Sequence, residues 1–121
     1  MKLRLLNNSA RIRLSQTEVS TLIAENKVSS KTEFPGNALN YEIVLSDIER
    51  DVRASFNEHL IVFTVAKNIA YEWANSNNAG IENTNQNNIH IIIEKDFQCL
   101  HKRPGENETD NFPNPLAEKT S

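Results

Sequence analysis

Lys2-Leu3-Arg4-Leu5-Leu6-Asn7-Asn8-Ser9-Ala10-Arg11-Ile12-Arg13-Leu14-Ser15-Gln16-Thr17-Glu18-Val19-Ser20-Thr21-Leu22-Ile23 changes rhythm three times, and those changes decide the fold. Lys2 to Leu5 alternates polar and apolar with the period of a half-buried strand, and Arg11 to Leu14 does so again. Asn7-Asn8-Ser9 between them is a turn cluster, so the pair reads as a hairpin. Its core face carries Leu3, Leu5, Ile12 and Leu14. Ser15-Gln16-Thr17-Glu18 is then a capping-box pattern, with a hydroxyl for an orphan amide and a carboxylate reaching back. Val19, Leu22 and Ile23 follow at helical spacing, and Asn26 is a natural stop because it tolerates a left-handed cap.

Working outward, Val28 to Phe34 is β-prone, Pro35-Gly36-Asn37 turns the chain, and Leu39 to Ile43 alternates as another strand. The second half repeats that order. Val52 to Phe56 and Leu60 to Val65 flank Asn57-Glu58-His59. Ala66 to Asn75 follows as a helix with the stripe Ile69, Ala70 and Trp73. Gly80-Ile81-Glu82 and Ile89 to Ile93 close the set, with the polar loop Asn83 to Asn88 between them. This order points to a duplicated ββαββ unit with pseudo-repeats over residues 2–45 and 53–95.

The sequence therefore predicts an α+β domain over residues 1–103, followed by an acidic, Pro- and Asn-rich C-terminal tail over 104–121. The domain has mostly antiparallel strands, about eight of them, and two short helices. Two helices cannot cover both faces of so many strands. The sheet must curl, close into a barrel, or fold into two layers. The expected core is Leu3, Leu5, Ile12, Leu14, Val19, Leu22, Ile23, Phe56, Phe63, Ile69, Trp73, Ile91 and Ile93. In the tail, Phe112-Pro113-Asn114-Pro115 is stiff enough to dock back at little entropic cost.

Composition narrows the function classes. No apolar run approaches the length of a membrane span, and Asn7, Asn8 and Ser9 interrupt the N-terminus before it can resemble a secretion signal. The single Cys99 closes no internal disulfide, which fits a reducing, cytoplasmic compartment. Net charge is −3, with six Lys/Arg against two acids in residues 1–31. That imbalance is too mild for a nucleic-acid footprint. The three glycines stand apart, so no phosphate loop is expected.

Glu94-Lys95-Asp96-Phe97-Gln98-Cys99-Leu100 and Phe112-Pro113-Asn114-Pro115 are two C-terminal strings of moderate specificity. With them, the chain resembles a small bacterial family of uncharacterised proteins marked by EKDFxCL and (F/Y)PNP near the C-terminus. Leu3-Arg4, Ser9, Arg13-Leu14 and Glu72-Trp73-Ala74 extend the likeness over nearly the whole chain. The resemblance implies a shared fold and no catalytic residues. Members of that family often carry an acid where this chain has His101, a departure that weakens a metal-site role built on this histidine.

Three constellations carry candidate chemistry. Cys99 and His101 share a face of an extended segment and, with Asp96 and Asp110, form a candidate zinc set; only one soft ligand pair is present where structural zinc sites show two. Glu94 and Asp96 are paired carboxylates one strand step apart, which Lys102 and Arg103 would neutralise. Lys2, Arg4, Arg11 and Arg13 form a basic patch on the outer face of the first hairpin. That patch suits a phosphate, an acidic partner or the chain's own tail, and basic residues on a terminal strand also prevent edge-to-edge association. His59 reads as an exposed turn residue, and His90 as a half-buried one with one hydrogen bond. These readings favour a non-enzymatic binding or interaction module without a cofactor. The alternative is a metal-dependent or small-molecule-binding enzyme with its site near Cys99 and His101.

Overall fold

A computed structural model of the chain describes residues 1–83, 89–98 and 107–115. In chain order its elements are β1 (Lys2–Leu6), β2 (Ser9–Leu14), α1 (Gln16–Glu25), β3 (Lys27–Phe34), β4 (Asn37–Ser46), β5 (Val52–Asn57), β6 (Leu60–Ala66), α2 (Lys67–Ala74), β7 (Gly80–Glu82) and β8 (His90–Lys95). The fold is α+β. Its local logic is the one the sequence carries. Ser15 Oγ accepts from Glu18 N at 3.4 Å, and Ser15 N donates to Glu18 Oε1 at 2.9 Å, closing the capping box of α1. Asn26 ends that helix with φ 62°.

The strands do not form one curled sheet, and they close no barrel. They make two open sheets, ordered β1-β2-β8-β7 and β3-β4-β6-β5. Antiparallel hairpins supply the outer pairings of each sheet, but the central pairs β2–β8 and β4–β6 are parallel. The partners of each central pair have at least one whole strand between them in the chain, so no hairpin signal announces them. α1 carries the chain from the first sheet to the second, and α2 carries it back.

The two halves share one connectivity. Laying β5-β6-α2-β7-β8 over β1-β2-α1-β3-β4 exchanges the two sheets and preserves every pairing. The register agrees in detail. Ile12 faces Ile93 as Phe63 faces Ile43, and Leu14 faces Lys95 as Val65 faces Leu45. Asn7 and Glu58 hold the same place in the two hairpin turns, with φ 50° and 55°.

One apolar core lies between the inner faces of the sheets and the two helices. Ile12, Leu14, Ile43, Phe63, Val65, Ile91 and Ile93 come from the sheets, and Val19, Leu22, Ala70 and Trp73 from the helices. Leu3, Ile23 and Ile69 pack against this core while only partly buried. Leu5 and Phe56 depart from the expected core: they are 57% and 70% exposed. Both sit beside the hairpin turns, and each helix follows the far end of its parallel strand, so helical cover does not reach them. Beyond β8, Phe97 forms a bridge with Phe112, whose amide donates to Asp96 O at 2.8 Å. Phe112 thereby docks against the core.

Candidate functional site

Strand alternation turns Lys2, Arg4, Arg11 and Arg13 outward, and the hairpin register sets Lys2 opposite Arg13 and Arg4 opposite Arg11. Directly opposed like charges are unfavourable unless something relieves them. The parallel neighbour β8 provides that relief. Arg13 Nε donates to Glu94 Oε1 at 2.9 Å, Arg11 Nε lies 3.6 Å from the same oxygen, and Lys2 Nζ lies 2.8 Å from Asp96 Oδ2. Arg4 ion-pairs with no carboxylate among the described residues. Glu94 and Asp96 are thus spent on the basic hairpin, and Lys102 and Arg103 lie outside the described residues. Each carboxylate has a cation beside it.

Cys99 and His101 of the candidate zinc set also lie outside the described residues. The set's two carboxylates are engaged separately. Asp96 turns to Lys2, while Asp110 sits at the start of α1, where both its oxygens accept from Thr17 N at 3.3 Å. Hydrogen bonds from the Thr17 and Ser15 side chains hold the Asp110 carboxyl below its ordinary range. Among the described residues no three His, Cys, Asp or Glu side chains converge as metal ligands. His59 is exposed at its turn. His90 is exposed rather than half-buried, and its Nε2 contacts Glu82 across the β7–β8 pair.

Two features escape a motif search. The first is the end of the molecule away from the helices. There Leu5, Ala10, Leu39, Phe56, Ile61 and Ile89 line an apolar pocket of about 350 Å³ that spans both sheets. In the shared connectivity Leu5 corresponds to Phe56, Ala10 to Ile61 and Leu39 to Ile89, so each half contributes matching walls. The alternation assigns these residues inward; only the helix positions reveal that neither helix covers Leu5 and Phe56.

The second is Lys95, which is 6% exposed. Strand parity puts it on the inner face with Ile91 and Ile93, and that parity was the available signal. Its ammonium donates to Ser76 O at 2.7 Å and lies 5.8 Å from the Trp73 ring centre and 5.6 Å from that of Phe112. Burial pushes the Lys95 amine below its usual range. No carboxylate pairs with it among the described residues. A cleft of about 470 Å³ opens beside it, walled by Phe97, Phe112, Pro113 and Pro115, with Ser76 and Asn77 at its rim.

No helix among the described residues is long and apolar enough to cross a membrane. The chain belongs to DUF7009, a family of unknown function, whose model matches residues 1–116. No curated protein and no solved structure matches it.

Proposed function

We propose that this chain is a non-enzymatic interaction module, and that its docking surface is the uncovered end of the two-sheet core. The observation that carries the reading is the exposure of Phe56 and Leu5 at the mouth of an apolar pocket shared by both sheets. A large aromatic left in water beside a preformed apolar recess is the usual anatomy of a binding hot spot. The lining supplies almost no polar atom, so nothing there would orient a polar metabolite or activate a water. It suits the apolar side chains of a partner protein. We further infer that the two ββαββ halves are copies of one ancestral unit; the matched strand order, register and turn conformations support this.

The test uses a photoreactive phenylalanine analogue at position 56, introduced into the full chain and irradiated in the cells that express it natively. A discrete adduct that disappears on Leu39→Ser supports a partner seated in the pocket. Its mass identifies a second copy of this chain as readily as a different protein. No adduct, or one that Leu39→Ser leaves unchanged, removes the reading.

A further inference from the structure

Lys95 is a buried lysine whose ammonium pairs with no carboxylate among the described residues, an unusual use of a core position. Transferring a charge from water into an apolar surrounding is costly unless it is paired, so a fold seldom retains one for packing alone. The other half of this molecule supplies the comparison. Leu45 stands where Lys95 stands: it faces Val65 as Lys95 faces Leu14. Leu45 N donates to Asn26 O at 3.0 Å, and Lys95 N to Ala79 O at 2.9 Å. Both side chains are buried. Leucine therefore satisfies this position of the architecture, and lysine is not required by it.

What surrounds the two positions differs. α1 passes to β3 through Asn26 alone, whereas α2 passes to β7 through residues 75–79. The longer connection brings the Ser76 carbonyl to the Lys95 ammonium and the Asn77 amide to the rim of the cleft. Phe112 and Pro113 form the facing wall. An ammonium has three donors, and Ser76 takes one. The cleft volume lies within the range of small-molecule sites, with apolar walls and a few convergent polar groups.

We propose that this cleft binds a small apolar monocarboxylic acid, its carboxylate on the Lys95 ammonium and its hydrocarbon or aromatic body between Phe97, Phe112 and Pro113. One cation matches one carboxylate. A phosphate would call for a second cation or a nest of free amides, and the described lining holds neither. Asn77 also lines the cleft and brings an amide donor to it. This site lies apart from the pocket at Phe56 and stands independently of that reading.

The experiment is a titration of the full chain with phenylacetate, followed by amide chemical shifts in ¹H–¹⁵N NMR spectra. Saturable shifts clustered on Ser76, Asn77, Lys95, Phe97 and Phe112 are expected. Phenylacetamide, of the same shape without the charge, should leave those resonances unmoved. Lys95→Leu should weaken phenylacetate at least tenfold while keeping a native spectrum, because Leu45 already occupies the corresponding place. Absence of saturable shifts with phenylacetate, benzoate and hexanoate alike would overturn the proposal. So would equal shifts with the amide, or undiminished binding by Lys95→Leu.

Discussion

Leu45 and Lys95 hold the same register on the inner faces of β4 and β8, each strand parallel to a central partner, and one is apolar where the other is charged. The pair separates what the architecture needs from what this sequence adds. Everything needed for packing there is a side chain of moderate length facing the core.

The first prediction follows directly. Lys95→Leu removes a desolvated charge and keeps the volume, at the loss of one hydrogen bond to Ser76 O and two ring contacts. The unfolding free energy should rise by about 1 kcal/mol, with Tm higher by about 4 °C. Urea unfolding at neutral pH measures it. A loss of stability would make Lys95 a structural residue whose ring contacts outweigh its desolvation.

Exposure at the uncovered end predicts a contrast between two phenylalanines on neighbouring strands. Phe56→Ser should change stability by no more than about 0.5 kcal/mol, since its ring already stands in water. Phe63→Ala, in the core, should cost about 3–5 kcal/mol. Denaturant midpoints at a common m-value would show the difference. A large cost at Phe56 would mean that its ring closes the core in solution.

Asp110 predicts an acid-side effect. Its folded pKa is depressed by hydrogen bonds from Thr17 and Ser15, below the ordinary 3.8. A depressed carboxylate contributes stability that is fully present above the unfolded pKa and is lost as pH falls through the folded one. Asp110→Asn should therefore lower Tm at pH 7, and its deficit relative to the parent chain should shrink as pH falls below about 4. A deficit that stays constant across this range would assign the loss to packing at the start of α1.

How far the sequence carries is visible in particular residues. The capping box at Ser15 and Glu18, the stop at Asn26 and the hairpin over Asn7-Asn8 are local, and a few neighbouring side chains determine each. The inward sets Ile12/Leu14 and Ile91/Ile93 follow from parity alone. The pairing of β2 with β8 does not, because parallel partners carry no turn between them to mark the register. The same gap hid the neutralisation of Arg11 and Arg13: Glu94 reaches them only once β8 lies beside β2. Parity placed Leu5 and Phe56 inward correctly, but burial also needs a cover, and the reach of two short helices is a tertiary property. Lys95 was legible as inward-facing.

Phe112 gives the last prediction. A phenylalanine flanked by Pro113, Asn114 and Pro115 is a poor choice for a segment that merely solvates, and here its ring meets Phe97 edge-on with centres 6.3 Å apart. The backbone reinforces the ring: Phe112 N donates to Asp96 O at 2.8 Å and Gln98 N to Phe112 O at 2.9 Å, and the Asn114 side-chain Nδ2 donates to Gln98 O at 2.8 Å. Farther back, Gln16 N donates to Asp110 O at 2.8 Å, which ties the same segment to α1. Phe112→Ala deletes the ring and leaves the backbone bonds, so its cost should be that of a partly buried aromatic, about 1.5–3 kcal/mol. Truncation before residue 107 removes ring and bonds together and should cost more. Hydrogen exchange separates the two variants. In Phe112→Ala the Gln98 amide should remain slower than in the truncated chain, where its acceptor is gone. Equal exchange at Gln98 in both would show that the ring alone holds the segment in place, and that the backbone bonds form only after it has docked.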